Sequence, residues 1–209
     1  MKTLISRIAA AWLIGSLLAA HTAIAQVPDL DMNAAYSAIR TIETDGERIS
    51  QRYYQDSAAV HRMETELGGE QSIIIMRGDR NLMWTVMPQQ RMVMELSLGA
   101  ATSMDGMFEL PGDDHWTSVE RLGRESVNGV PATRWRVVSD DGAGERGEGD
   151  LWVSDEGIPV RMDMRFDGGR VRMTLSELLI GPQPATLFEP PVGYQRIAPG
   201  GAGGLFGGQ

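Results

Sequence analysis

Side chains that could carry out catalysis are scarce in this sequence of 209 residues. Cysteine is absent and histidine occurs three times, which leaves no thiolate nucleophile and no paired histidines for a metal centre. Carboxylates adjoin a base only in the run Asp113-Asp114-His115. Because adjacent residues of a strand point to opposite faces, this run is better explained as an exposed polar turn before Trp116 than as a catalytic dyad. With no phosphate-binding loop, dinucleotide fingerprint or nucleophile elbow, the sequence predicts a non-catalytic protein without a cofactor.

Methionine is the one chemically distinctive side chain present in excess, with thirteen residues. Met92 and Met94, and again Met162 and Met164, are two positions apart and therefore share a face of a strand. Such thioether pairs could hold a cuprous ion, but soft-metal sites usually gather about three or four soft ligands with little else around them. A methionine-rich surface also adapts to apolar ligands of variable shape, whereas methionines at this spacing are simple core packing in most proteins.

Strands to carry these methionines are predicted by alternating apolar runs between Gly46 and about Ile180, which indicate roughly nine or ten antiparallel strands. The pairs Gly68-Gly69 and Asn128-Gly129 suit tight hairpin turns. Three further hairpins are predicted by matching apolar residues across the turn, with loops at residues 88–90, 156–157 and 168–169.

These predicted registers gather apolar side chains on one face of the sheet. They pair Trp84 with Met94, Val86 with Met92, Leu151 with Met162, Val153 with Val160, Met164 with Met173, and Phe166 with Val171. The residues predicted to line a hydrophobic ligand site are Trp84, Val86, Met92, Met94, Leu151, Val153, Met162, Met164 and Met173.

The opposite face of the predicted sheet is rich in arginine. Trp152 is predicted to lie over Arg161 in a cation–π contact. Salt-bridged ladders are expected on this solvent face, and their members are Arg121, Arg124, Arg134, Arg136, Arg161, Arg165 and Arg172 with Glu120, Glu125 and Asp163.

Residues 31–42 carry apolar side chains near helical spacing and predict one amphipathic helix. A single short helix cannot cover nine or ten strands, so the predicted fold is mainly β, an open antiparallel half-barrel with the N-terminal helix against its concave face. The concave surface left uncovered has the geometry of a pocket for a lipid or another apolar ligand.

The two ends of the chain differ from its middle. Lys2 and Arg7, an apolar run and Ala23-Ile24-Ala25 predict a cleaved signal peptide at residues 1–25, hence a periplasmic or secreted protein without a transmembrane anchor. Residues 29–197 are predicted to form a single domain, and residues 198–209 a disordered glycine-rich tail. The formal net charge of −9 argues against nucleic-acid binding, which needs a basic patch.

Two internal stretches interrupt the strand pattern. Residues 140–149 are polar and glycine-rich, which predicts a mobile hairpin loop. Residues 99–110 combine small and apolar side chains and could form a short helix or a flap.

Several segments of the sequence resemble the LolA/LolB-like periplasmic lipoprotein-localisation superfamily. They are RGDRNLMWTVMPQQRMVMEL (residues 77–96), VNGVPATRWRV (127–137), DLWVSDEGIPVRMDM (150–164) and the closing phrase LFEPPVGY (187–194). The resemblance is one of pattern over residues 45–194, and it implies an incompletely closed antiparallel barrel whose helix covers an apolar cavity for acyl chains. Because the chain has no lipobox cysteine, it is unlike the membrane-anchored member of the superfamily. It is expected to be a relative with the same fold and another hydrophobic ligand.

The residues and the resemblance together predict a hydrophobic-ligand carrier whose partner is a lipid or a lipoprotein acyl chain, with envelope proteins as further candidate partners. Two alternatives remain open at this stage. One is a structural or interaction protein of the cell envelope whose apolar face is filled by its own side chains. The other is a copper-binding protein that uses its methionines.

Overall fold

The computed structural model describes residues 27–98, 116–140 and 146–197, whose strands form one twelve-stranded sheet. The strand order is β12-β6-β5-β4-β3-β2-β1-β11-β10-β9-β8-β7, antiparallel throughout except where β12 joins β6 in parallel. Short 3-10 turns occur at Gly78–Arg80 and Ala185–Phe188. The strands are β1 Tyr36–Thr44, β2 Glu47–Ser57, β3 Val60–Leu67, β4 Glu70–Arg77, β5 Leu82–Met87, β6 Met92–Ser97, β7 Trp116–Val127, β8 Val130–Asp140, β9 Arg146–Ser154, β10 Pro159–Phe166, β11 Gly169–Ile180 and β12 Gln195–Ile197.

Tight turns join successive strands where the sequence supplies residues that tolerate a positive φ. Asn128 and Gly129 have φ values of 49° and 86°, and Gly68 and Gly69 have values of 62° and 84°. Such values match the right-handed twist of the adjoining strands, as primed hairpin turns require. Both predicted turns are therefore confirmed.

The predicted helix over residues 31–42 is wrong, because this segment leads into β1 at the centre of the sheet. β1 pairs with β2 on one side and with β11 on the other. Tyr36, Ala38 and Arg40 are buried while the residues between them are half-buried, which is the period of a strand. Among the described residues there is no α-helix. The antiparallel sheet of the predicted half-barrel is thus observed without its helix.

The predicted β5–β6 register is wrong by one residue. Four residues, 88–91, form the connection, so that Met87 pairs with Met92 and Val86 with Val93. Arg91 closes it with φ 54°, and its backbone N–H donates to the Pro88 carbonyl at 3.1 Å. A slip of one residue exchanges the two faces of a strand. Met92 and Met94 therefore lie on the face opposite to Trp84 and Val86.

The other two predicted registers keep the correct faces. Leu151 pairs with Met162 and Trp152 with Arg161 as predicted, although Val153 pairs with Pro159 and not with Val160. The β10–β11 turn is at residues 167–168, which shifts the pairs by two, so Met162 pairs with Met173 and Met164 with Val171. A shift of two positions leaves each side chain on its face.

The predicted loop over residues 140–149 is shorter than expected, because β9 already begins at Arg146. Gly147 and Gly149 belong to this strand. A Cβ on Gly149 would lie 2.8 Å from the Met164 Cα and would also overlap the Asp163 carbonyl oxygen. The glycine therefore lets the backbones of the neighbouring strands β9 and β10 approach closely. The stretch of residues 99–110, the signal segment and the C-terminal tail lie outside the described residues.

The apolar side chains form two clusters. The inner face is defined as the face of Tyr53, Met63, Leu151 and Met164, and it supplies most of the larger cluster, which runs from β3 through β1 to β7. The outer face is the opposite face of the sheet. Val127, Ala132 and Trp152 join the larger cluster from the outer face. The outer cluster lies on this face, on β3–β6 beneath the 3-10 turn Ala185–Phe188, and it consists of Val60, Ile73, Ile75, Trp84, Val86, Val93 and Phe188.

Beyond the outer cluster, the outer face carries part of the predicted arginine ladder, whereas the predicted members Arg121 and Arg124 pair with Trp135 and Thr133 of the inner face. Arg134 forms an ion pair with Glu125 at 3.0 Å and also contacts Asp150. Arg170 forms an ion pair with Asp163 at 2.6 Å. The Arg161 guanidinium carbon lies 4.6 Å from the centre of the Trp152 ring, which confirms the predicted cation–π contact. By contrast, most buried apolar side chains of the larger cluster lie on the inner face.

Candidate ligand-binding face

A band of sulfur-containing and branched side chains crosses the inner face from β9 to β11. Met162 faces Leu151 on β9 and Met173 on β11, while Met164 faces Val171. Met164 is 2% exposed, and Met162 and Met173 are 8% and 7% exposed. Long unbranched thioethers fill irregular space and change rotamer easily. This methionine band is therefore a lining that a guest molecule can rearrange.

The structure separates the residues that the sequence grouped as one lining. Seven of them share the inner face, namely Leu151, Val153, Met162, Met164, Met173, Met92 and Met94, the last two half-buried on β6. Trp84 and Val86 lie on the outer face, inside the cluster under Phe188. The Trp84 indole N–H donates to a Glu95 carboxylate oxygen at 2.8 Å. Both residues are thus covered by the chain itself.

Next to the methionine band, the inner face holds a buried arginine that sequence reasoning did not place in the lining. Arg40 is 9% exposed, and its Nε and Nη2 donate to the Gln51 Oε1 at 3.1 and 2.8 Å. Nη2 also lies 2.9 Å from the Met63 sulfur, and the guanidinium carbon is 4.3 Å from the Tyr53 ring centre. Burial lowers the pKa of Arg40, yet a guanidinium keeps its proton at neutral pH.

Two tyrosines and a histidine complete a polar group around Arg40, and they are neutral at pH 7. Burial raises the pKa of Tyr36 and of Tyr53. Burial and, second, the Arg40 charge lower the pKa of His61 to about 4. The Tyr53 ring lies 5.7 Å from the Tyr36 ring and 6.1 Å from the His61 ring. The Arg40 cluster is defined as Tyr36, Arg40, Gln51, Tyr53 and His61.

The signal for this cluster was present in the sequence but was assigned to a helix. Tyr36, Ala38 and Arg40 alternate, and the same period in β2 brings Gln51 and Tyr53 to the same face. Reading residues 36–40 as a strand would have turned Arg40 toward the apolar side of the sheet.

A cavity of about 400 Å³ lies at one end of β8 and β9, against the segment that precedes β1. Its lining is mostly polar and acidic, with Val153 as its one member of the predicted site, and consists of Asp29, Asp31, Thr133, Trp135, Val153, Ser154, Asp155, Glu156 and Gly157. Across the described ranges, no three histidine, aspartate or glutamate side chains are grouped so as to hold a metal ion. Nor does any helix there have the length and apolar character needed to cross a membrane.

Comparison with solved structures places the fold. An uncharacterized conserved protein from Thermus thermophilus matches with a TM-score of 0.51 at 13% identity, covering 81% of this chain and 93% of that one. MucB matches with a TM-score of 0.53 at 15% identity over 80% of this chain, and this chain spans 61% of MucB. MucB in complex with MucA(peri) gives 0.51 at 15% identity, with 80% and 58% of the two chains covered.

A LolA superfamily protein from Nitrosomonas europaea is among the matches, with a TM-score of 0.38 at 12% identity over 78% of this chain and 92% of that one. A search of curated proteins found no match. Residues 38–156, more than half of the sequence, match the family described as a domain of unknown function, DUF4412. The chain therefore belongs to the DUF4412 family.

Proposed function

We propose that the protein is an exported, non-catalytic carrier that binds the acyl chain of a lipid or lipoprotein on the inner face of its sheet. The observation that carries this proposal is the methionine band, in which Met162, Met164 and Met173 adjoin one another across two strands. An apolar, adaptable surface of this kind suits long flexible chains better than it suits a rigid polar substrate.

The contrast between the two faces supports the same function. The outer face is closed by paired arginines on β8–β11 and by Phe188 over β3–β6. The inner lining is buried, so an acyl chain enters by displacing methionine rotamers. Thioether side chains allow this at small energetic cost because they are unbranched and have three rotatable bonds.

Photo-crosslinking tests the proposal without changing the protein. A diazirine-bearing fatty acid is incubated with the purified chain, irradiated, and its attachment sites are mapped by peptide mass spectrometry. Attachment is expected on the inner face, at Met162, Met164 or Met173. The outer cluster around Trp84 and Val86 is an internal control, because it is also apolar but is already covered by the C-terminal segment of the chain.

Two results would contradict acyl-chain binding. The first is labelling confined to the outer cluster or spread evenly over the surface. The second is the absence of lipid in native mass spectra of protein purified from the periplasm, combined with no uptake of a fluorescent fatty acid by protein that has been delipidated.

A second candidate is a protein-interaction module whose inner face is filled by its own side chains. Two observations favour it, namely the low exposure of the lining, 2% at Met164, and the likeness to MucB, which has been solved with MucA(peri). For such a module, delipidation leaves the unfolding temperature unchanged. For an acyl-chain carrier, removal of a ligand that binds only the folded state lowers that temperature.

A further inference from the structure

Arg40 differs from the other charged side chains because it is buried without an opposite charge. It is the only charged residue among the buried side chains of the described ranges. No carboxylate of those ranges lies within ion-pair distance of it, whereas Arg62, Arg77 and Arg134 each bind one. A buried guanidinium that has only neutral partners is costly to maintain, so a counter-charge would stabilise it strongly.

The Arg40 guanidinium also retains donors that a ligand can use. A guanidinium has five N–H donors. Within the described part of the chain, Nε and Nη2 are bonded to Gln51 and Met63, and Nη1 has no hydrogen-bond partner. The side chain is 9% exposed, so it is not sealed from an approaching molecule.

A second polar atom of the same cluster lacks a partner. His61 Nε2 lies 3.0 Å from the Met76 sulfur, but its Nδ1 is buried with no hydrogen-bond partner in the described part of the structure. Buried polar atoms are nearly always satisfied, so each exception needs an explanation, such as a bound water, an ion or a ligand. The Tyr53 ring, between Arg40 and His61, contacts both. The free donor of Arg40 and the unpartnered Nδ1 of His61 thus flank the same tyrosine ring.

The polar group lies directly beside the apolar lining. Arg40 pairs with Leu175 on β11, and two positions further along, Ile42 pairs with Met173 of the methionine band. A positive charge next to a flexible apolar band is complementary to a molecule with an anionic head and an acyl tail.

We propose that Arg40 is the anion-binding group of the inner face, and that the ligand is an amphiphile whose carboxylate or phosphate head pairs with Arg40. The acyl chain lies along the methionine band. His61 donates to the same head group through Nδ1 once it takes the Nδ1–H tautomer, which gives up the Nε2–H contact with the Met76 sulfur. This inference rests on the proposed acyl-chain binding, because it identifies the head group of that ligand.

Displacement of the neutral dye Nile red from delipidated full chain, measured with four competitors, tests the proposal. Dodecanoate and dodecyl phosphate carry the same tail with different anionic heads, monolaurin carries a neutral head, and inorganic phosphate has no tail. We expect both anions to bind about ten times more tightly than monolaurin, the size of effect typical of one charge-assisted hydrogen bond. Inorganic phosphate alone should not displace the dye, and the two anions together show whether carboxylate or phosphate is preferred.

Variants then assign the preference to Arg40. Arg40→Gln is expected to lose the preference of about tenfold and to keep its affinity for monolaurin, while Arg40→Lys keeps part of it. Arg170→Gln is the matched control, because Arg170 lies exposed on the outer face. Circular dichroism verifies folding. If Arg40→Gln does not fold, the comparison of ligands on the unmodified chain still decides whether the protein prefers an anionic head group to a neutral one.

The possible outcomes separate the two proposals. Equal affinity of the unmodified chain for monolaurin and dodecanoate overturns the role of Arg40 and leaves acyl-chain binding intact. An anion preference that survives in Arg40→Gln overturns the assignment to Arg40. Failure of all three tailed compounds to displace the dye overturns acyl-chain binding itself.

Discussion

His61 makes the stability of the folded protein depend on pH. Burial and the nearby Arg40 charge lower its pKa to about 4, compared with about 6.5 in an unfolded chain. Between these values the unfolded state binds more protons than the folded state, so stability falls as the pH is lowered. We expect a loss approaching about 3 kcal/mol between pH 6.5 and pH 4, measured by urea unfolding at a series of pH values.

The variant His61→Gln is expected to lack this dependence, because it removes the titrating group. Asp163 does not interfere in the same window. Burial raises the pKa of Asp163, but hydrogen bonds from Arg170 and Arg172 together lower it by more, so the net pKa lies below its ordinary value. Its contribution is lost below about pH 4, in the variant as in the unmodified chain. An unchanged slope between pH 6.5 and pH 4 in His61→Gln would contradict the assignment to His61.

At the scale of strands, the close approach of β10 to β9 depends on the absence of a side chain at Gly149. A Cβ at Gly149 would meet the Asp163 carbonyl oxygen and, at 2.9 Å, the Met164 sulfur. Gly149→Ala must push these strands apart, which costs about 1–3 kcal/mol of unfolding free energy. Gly168→Ala in the neighbouring turn is the matched control, because its Cβ would meet nothing within 4 Å. Equal stability of the two variants in urea would refute this close approach.

The same strands show which features a single sequence can predict. Period two predicted the faces of β9, β10 and β11 correctly, because an error of two residues in the β10–β11 register preserves the face. The β5–β6 faces were lost because the loop is closed by Arg91 in a left-handed conformation, for which arginine gives no signal. Arg40 was not placed in the lining because apolar spacing in residues 31–42 fits a helix, and only pairing with β2 and β11 makes this segment a strand.

At the scale of the whole molecule, the C-terminal segment covers the apolar cluster on the outer face of the sheet. After β11 the chain returns across the outer face, where the Arg62 guanidinium donates to the Leu187 carbonyl at 2.9 Å. Phe188 is 3% exposed over the outer cluster, and β12 then pairs with the edge strand β6. The outer cluster is thereby satisfied within the chain, which agrees with the proposal that acyl chains bind on the inner face.

This division of labour predicts that damage to the outer face affects stability and spares binding. Phe188→Ala removes a large buried side chain and is expected to cost about 3–5 kcal/mol of unfolding free energy. Acrylamide quenching of tryptophan fluorescence should increase, because Trp84 lies beneath Phe188. Under conditions where the variant is folded, its affinity for dodecanoate should equal that of the unmodified chain.

The matched control for Phe188→Ala is Val192→Ala in the same segment, where the side chain is 98% exposed and its loss should leave both properties unchanged. A fall in dodecanoate affinity in folded Phe188→Ala would show that the two faces are energetically coupled. Coupling of that kind requires a sheet with two alternative packings that ligand and C-terminal segment both bias. Unchanged dodecanoate affinity together with a lowered free energy of unfolding would instead show that the segment only covers the outer cluster. Ligand binding within the described sheet would then depend on the inner face alone.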